Sequence, residues 1–203
     1  MAGLRLMLVR HGQTESNVRR ALDSKPPGPP LNPLGQQQAD DLAADLAEEP
    51  IVAVYASIAV RAQQTAEPLA AKHGLSVHVV PGAHEIFVGD LEGSVEEADA
   101  HTFFRVFSAW ADGDLDVPMP GGETGAQARD RFERVIAEIA AQHREGVVVL
   151  VSHGGIIRLV APLLADNVSP DNTKFGMLPN TGRIVLDNGP AWRCVEWTGL
   201  DLG

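Results

Sequence analysis

Apolar and polar residues fall in blocks along the chain, and the blocks change period. Residues 4–9 (LRLMLV) are apolar except for Arg5 and read as a buried strand. Residues 51–55 form a second short apolar run and 75–80 an alternating one that ends at Pro81-Gly82. Residues 147–151 are uninterruptedly apolar, the pattern of a strand buried on both faces. Between these runs the apolar positions recur every three or four residues. Over 33–48 they are Leu34, Ala39, Leu42, Ala43 and Leu46, with Pro33 suited to a first helical turn. Residues 59–73 read as a helix stopped by Gly74, and 156–165 as another. Residues 126–144 carry Phe132, Val135, Ile136 and Ile139 on one face, and 96–111 carry Phe103, Phe104, Phe107 and Trp110. A short helix is expected after Thr14. Residues 24–30 (SKPPGPP) and 113–125 are too rich in Pro and Gly for either element. Residues 183–186 and 192–197 read as two strands joined around Asp187-Asn188-Gly189-Pro190.

Strands thus alternate with helices until a β-rich end. The pattern predicts a three-layer α/β/α sandwich around a largely parallel central sheet. No repeat or linker divides the chain, so one domain is expected over 1–203, with 94–122 as a candidate cap insertion over one end of the sheet.

Composition narrows the class. The 203 residues are 44% hydrophobic, enough for a full core. Lys and Arg number 16 against 27 Asp and Glu, a net charge of −11, and only Lys25, Lys72 and Lys174 are lysines. An acidic surface without a basic run repels polyanions, so neither nucleic acid nor an anionic membrane is expected as a partner. The single cysteine, Cys194, allows no internal disulfide and reads as a small core residue. The apolar runs are too short to span a bilayer, and the N-terminal residues lack the pattern of a secretory signal. A soluble, reducing, cytoplasmic setting is the expectation. The pattern carries no signal of oligomeric state.

In open α/β sheets, sites form at the carboxyl ends of strands. The first strand is followed by Arg10-His11-Gly12. The second leads into Ser57 and, one helical turn on, Arg61; the third into His84-Glu85; the fourth into Ser152-His153-Gly154-Gly155. A parallel sheet gathers these groups together. Two guanidinium groups near one point suit a tetrahedral oxyanion, most often phosphate. A neutral imidazole is a nucleophile near pH 7, and a second His can donate to phosphoryl oxygens. A Glu whose pKa is raised by burial can serve as general acid. Gly12, Gly154 and Gly155 let backbone approach a bound group. The sum points to phosphoryl transfer through a phosphohistidine. No His pair stands at the helix-face spacing of a metal site with a carboxylate ligand, so no metal is expected.

The run Leu8-Val9-Arg10-His11-Gly12-Gln13-Thr14-Glu15-Ser16-Asn17 resembles the signature of the histidine phosphatase superfamily, in its phosphoglycerate mutase-like branch. Further motifs match in order: Leu31-Asn32-Pro33-Leu34-Gly35 through Ala39, Arg61-Ala62-Gln63-Gln64-Thr65-Ala66, Glu85 with Gly89-Asp90-Leu91-Glu92-Gly93, Pro120-Gly121-Gly122-Glu123 and Val151-Ser152-His153-Gly154-Gly155. The resemblance runs over about 4–186 and implies a phosphoglycerate mutase-like fold. It implies His11 as a nucleophile phosphorylated on Nε2, its Nδ1–H held by a backbone carbonyl. Arg10, Arg61 and His153 would surround the phosphoryl group, with Asn17 and the Gly154 N–H adding hydrogen bonds. Glu85 would protonate the leaving oxygen and then activate water. Neither metal nor other cofactor is implied.

Three departures fall on the rim. His84 stands where the family often has Arg, Ser57-Ile58-Ala59 replaces Ser-Pro-Leu, and the proline-containing stretch 21–32 replaces the usual Gly-x-x-Asp-x-Pro-Leu-Thr. Glu15 and Glu123 read as structural, capping helices or holding arginines. The aromatic stripe at 103–110 reads as core rather than pocket. His73, His78 and His143 read as solvent-side, and His84 and His101 as near the rim.

The function expected is hydrolysis of a small phosphate monoester by a metal-independent phosphatase. Phosphoglycerate mutase, which shares the first half-reaction, is the alternative. Ile86 stands where the mutases resembling this chain carry Arg after the acid, which weighs against it. A non-catalytic phosphoester-binding module on the same fold is a third reading. The net charge adds one expectation: Arg10, Arg61 and His153 must form a small positive pocket within a negative exterior.

Overall fold

The computed structural model describes residues 3–169 and 177–202. Six strands form one sheet: β1 (Leu4–Arg10), β2 (Ile51–Ser57), β3 (Val77–Val80), β4 (Gly146–Ser152), β5 (Arg183–Asn188) and β6 (Trp192–Trp197). Their spatial order is β3-β2-β4-β1-β5-β6. β4 runs parallel to both β1 and β2, and β3 parallel to β2. β5 runs antiparallel to β1, and β6 completes the predicted hairpin. The sheet is therefore parallel at its centre and antiparallel along one side.

Alternation along the strands sends side chains to two separate cores. Leu4, Leu6 and Leu8 of β1 face one side, joined by Val148 and Leu150 of β4. Met7, Val9, Val147, Val149 and Val151 face the other. The first side is covered by α4 (Glu97–Ala111), α5 (Gly125–Gln142) and α6 (Gly154–Leu164), through Phe107, Trp110, Phe132, Ile136, Ile156 and Ile157. The second is covered by α2 (Pro33–Asp45) and α3 (Val60–Lys72), through Leu42, Ala62, Ala66 and Leu69. The result is the expected three-layer α/β/α arrangement.

Helix starts follow their capping residues. Thr14 and Asn17 form a reciprocal capping box at α1 (Glu15–Val18), as Thr124 and Gln127 do at α5. Asn32 caps α2 by accepting from Gly35 N at 2.8 Å, with Pro33 in the first turn. Several boundaries differ from the sequence pattern: α2 stops at Asp45 and β5 runs on to Asn188, and two others have a plain cause. Helix α6 begins at Gly154, two residues earlier than the apolar period shows, because its first turn is two glycines that carry no side-chain signal. Strand β3 is shorter than the alternating run: it pairs only with β2, so it lies at the edge. Cys194 is buried as expected, and desolvation pushes its thiol up to about 11. Among the described residues, no helix is long and apolar enough to cross a membrane.

Register decides where the chemistry lies. Arg10 pairs with Ser152, Val9 with Val151, and Ala56 with Val151 from the other side of β4. The carboxyl ends of β1, β4 and β2 therefore finish level, and their next residues are neighbours.

Candidate active site

His11 follows β1 directly, its backbone N–H donating to Ser152 O at 3.0 Å. Its ring is 4% exposed, and Nδ1 lies 2.7 Å from the Gly12 carbonyl. That oxygen can only accept, so Nδ1 carries the hydrogen and the lone pair is on Nε2. Gly12 is required at this turn: a Cβ there would stand 2.6 Å from Gly35 O. Its N–H donates to Thr65 Oγ1, whose own hydroxyl donates to Arg61 O, so the first turns of α3 are tied to the His11-Gly12 turn.

Arg61, 2% exposed, reaches back from α3. Its Nε donates to His11 Nε2 at 3.1 Å and its Nη2 to Asp23 O at 3.0 Å. Nη1 donates no hydrogen bond, with the Asp23 carboxylate 3.7 Å away. Arg10 donates to Leu178 O at 2.6 Å. Burial pushes both guanidinium groups down, against an opposing pull from Glu85 on Arg10 and from Asp23 on Arg61.

His153 follows β4 and is fully buried. Its ring lies 5.2 Å from that of His11, its Nε2 is 2.7 Å from Ser57 Oγ, and its Nδ1 has no partner. Desolvation pushes both imidazoles well below their ordinary range. Arg61 and then Arg10 add to the effect at His11, and Arg61 and His11 add to it at His153. Both rings are therefore neutral at pH 7. The site already holds two buried guanidinium charges, and a third cation there is unfavourable.

Glu85 sits at the start of α6. Its carboxylate accepts from Gly155 N at 3.0 Å, Ile156 N at 2.9 Å and Ile86 N at 2.8 Å. Gly155 makes this possible, since a Cβ would come within 2.8 Å of Glu85 Oε1. The loop bearing Glu85 is braced from below. Arg131 donates to the carbonyls of Gly82, His84 and Glu85 and pairs with Glu123 at 2.6 Å. Glu123 is thus structural, as read from the sequence, and the arginine it holds is Arg131.

A cavity of about 580 Å³ opens over these groups. Arg10, His11, Asn17, Arg61, Glu85 and Gly154 line it. Of the site residues read from the sequence, His153 alone is set back from the wall, behind His11. The Asn17 carbonyl accepts from Thr14 N and Asn180 Nδ2, so its NH₂ end is the one available to a ligand.

Several wall residues were not singled out from the sequence. Arg158, buried in α6, lies over the Phe107 ring at 5.2 Å. A signal existed, because Arg158 stands four residues after Gly154 and shares its helix face. Asp23 approaches Arg61 from the 20–28 loop. Asn180 also donates to His11 O at 3.0 Å, and nothing local in the sequence marks it. The aromatic stripe divides. Phe107 and Trp110 are core as expected, but Phe103 and Phe104 line the cavity. At about 100° per residue, 103, 107 and 110 share one face and 104 lies off it, so Phe103 touches both core and cavity while Phe104 turns out to the cavity. All three histidines read as solvent-side are also engaged, His73 with its Nε2 3.0 Å from Leu46 O. His143 Nε2 is 2.9 Å from Tyr55 Oη, and the His78 ring packs 5.1 Å from that of Tyr55.

The profile of the histidine phosphatase superfamily (branch 1) matches residues 6–198. The chain belongs to this superfamily. Its similarity to individual members spans most of its length. It is 33% identical to the PE-PGRS family protein PE_PGRS11 of Mycobacterium tuberculosis over 96% of this chain, which spans only 36% of that longer protein. It is 32% identical to phosphoglycerate mutase-like protein 4 of Arabidopsis thaliana over 95% of this chain and 84% of that one. It is 34% identical to a metal-independent phosphoserine phosphatase of the same plant over 76% and 66%. Among solved structures, mycobacterial glucosyl-3-phosphoglycerate phosphatase in complex with VO3 superposes with a TM-score of 0.82 at 29% identity, covering 95% of this chain and 98% of that one. The matched span takes in His11, Arg61, Glu85 and His153, and also the 94–122 segment, from which Ala100, Phe103 and Phe104 line the cavity.

Proposed function

We propose that the chain hydrolyses phosphate monoesters through a phosphohistidine on His11, with Glu85 as general acid and then general base, and without a metal ion. The observation that carries this reading is the state of His11: neutral, buried, and fixed by the Gly12 carbonyl with its lone pair on Nε2. In the free protein that lone pair accepts the Arg61 Nε–H. Phosphoryl oxygens compete for the same N–H, so substrate turns Arg61 away and exposes the nucleophile. Two further nitrogens beside His11, Arg61 Nη1 and His153 Nδ1, are buried without partners. Orphaned buried polar groups are costly; a phosphoryl oxygen in the cavity would complete Arg61 Nη1, which lines it, whereas His153 Nδ1 lies behind His11.

The Nε2–P bond forms as the ester P–O bond breaks, and Glu85 gives its proton to the leaving oxygen. Arg10, Arg61, the Asn17 amide and the Gly154 N–H hold the phosphoryl oxygens and offset their charge. Water then attacks phosphorus while Glu85 takes its proton. The P–N bond breaks, inorganic phosphate leaves, and His11 is neutral again. The relatives named as phosphoserine and glucosyl-3-phosphoglycerate phosphatases support hydrolysis of a monoester.

His11→Ala is expected to reduce phosphate release from p-nitrophenyl phosphate to background. Wild-type activity in that variant overturns the reading. Inhibition by EDTA that a divalent ion reverses overturns its metal-free part. Isomerisation of phosphoglycerate without phosphate release would favour the mutase alternative.

A further inference from the structure

The phosphoryl group fills only one end of the cavity, and the rest of the wall has a distinct chemistry. Beside polar groups that include Arg20, Asp23 and Arg158, it carries Leu22, Val88, Ala100, Phe103, Phe104 and Met177, drawn from four separate parts of the chain. Phe104 is 48% exposed and Met177 52%, although both are large and apolar. Helix α4 does not need Phe104 to hold it in place, since Val106, Phe107 and Trp110 are already buried beneath it. Phe103 and Phe104 stand edge to face, their ring centroids 5.5 Å apart. Ala100, one turn earlier on the same wall, keeps the space before them open. Phe103 is half-buried against the core and stacks on Phe107, so Phe104 is the exposed ring of the pair, an unfilled contact surface at the mouth of the cavity.

Position identifies what fills it. With phosphorus at His11, the ester oxygen faces Glu85, which lines the same cavity. The leaving group starts at that oxygen, and the space left to it is the part walled by these apolar side chains. A cavity of about 580 Å³ lies within the range that encloses whole organic ligands. Resting on the phosphatase reading above, we infer that the preferred substrate carries a ring with an apolar face, seated against Phe103 and Phe104, and that Phe104 is a specificity-determining residue. Three-carbon phosphate esters leave this wall uncovered.

The test compares kcat/KM for 2-phenylethyl phosphate and ethyl phosphate. Both release a primary alkoxide, so the chemistry at phosphorus is matched and only the ring differs. The wild-type chain is expected to prefer the ring ester by about tenfold or more, the scale of one aromatic contact plus the burial of its surface. Phe104→Ala is expected to remove most of that ratio, chiefly through KM, and Phe104→Leu to keep part of it. Equal rates for the two esters, or a ratio indifferent to Phe104→Ala, overturn the inference while the phosphatase reading stands. Failure to hydrolyse either ester, with p-nitrophenyl phosphate also untouched, overturns both.

Discussion

At the floor of the cavity, Arg10, His11, Ser57 and His153 stand at or just beyond the ends of three strands whose ladders fix their register. At its mouth, Asp23, Phe103 and Phe104 stand on a loop and a helix that belong to no strand. The floor is held by short, repeated hydrogen bonds between buried groups. To move His11 relative to His153 would break the β1–β4 pairing that supports both. The 20–28 loop is fastened differently. The Glu92 carboxylate accepts from Ser24 N at 2.9 Å, Lys25 N at 3.1 Å and the Ser24 hydroxyl, and Gly93 N donates to Leu22 O at 2.6 Å. The difference teaches how one scaffold can keep a reaction while changing its substrate. On the proposed reading, Arg10 and His11, which meet phosphorus, are set by backbone pairing, and the groups that meet the leaving group ride on segments outside the sheet.

The sharpest test of the floor is the acid. Glu85→Gln keeps the size of the side chain and removes its transferable proton. The expected loss in kcat is about 10²–10⁴-fold for an alkyl phosphate. The loss should be smaller for p-nitrophenyl phosphate, because nitrophenolate leaves without needing a proton. A uniform loss for both esters would mean that Glu85 shapes the site rather than donating a proton.

A smaller effect is expected where rim and floor meet. Glu92 is not among the residues that line the cavity, yet the loop it holds through Ser24 supplies the Asp23 carbonyl that accepts from Arg61 Nη2. The same loop brings Gly28 so close to Arg61 that a Cβ there would stand 2.2 Å from Nη1. Glu92 is therefore a positioning residue. Glu92→Ala should lower kcat/KM about tenfold, on the scale of the hydrogen bonds lost to a charged acceptor, and weaken competitive inhibition by inorganic phosphate in parallel. Glu92→Gln, which keeps one acceptor oxygen, should lose less. Unchanged phosphate inhibition in Glu92→Ala would show that the floor holds Arg61 without help from the rim.

The same division explains what was legible in the sequence. The order and type of every strand and long helix could be read, because each has its own apolar period. The groups at the strand ends were legible too: Arg10, His11 and His153 follow their strands within two residues, and a parallel sheet has to gather them. The placement of the rim depends on contacts between distant segments. Spacing sets Phe104 off the face of Phe103, Phe107 and Trp110, but whether that side meets solvent or a cavity is settled by where α4 lies against the rest of the fold. The pairing of Glu92 with Ser24 joins residues 68 apart, and Asn180 reaches His11 across 169. Such contacts leave no local period. The setting of His153 behind His11 was likewise hidden, since a strand-end histidine reads the same whether its ring turns toward the cavity or toward Ser57.

The last contrast concerns protons. Desolvation and the neighbouring guanidinium charges hold His11 and His153 neutral in the folded chain, well below the ordinary imidazole value of 6.5. In the unfolded chain both rings titrate near that value. Below pH 6.5 the unfolded state therefore binds protons that the folded state refuses, and folding stability falls as pH falls. Each such histidine removes at most about 1.4 kcal/mol per pH unit in that window, until its folded-state pKa is reached. Above pH 7.5 neither ring contributes a slope. Urea midpoints measured at pH 7.5 and 5.5 should move down for the wild-type chain and move less for His11→Ala, by about 1 kcal/mol once converted with the m-value. Substitutions at the rim, such as Phe104→Ala, should leave the wild-type shift intact. An equal shift in His11→Ala and wild type would mean that the His11 ring takes up a proton as readily folded as unfolded. The neutral nucleophile would then be lost at the pH where a free imidazole loses it, and the floor would have no electrostatic advantage over an exposed histidine.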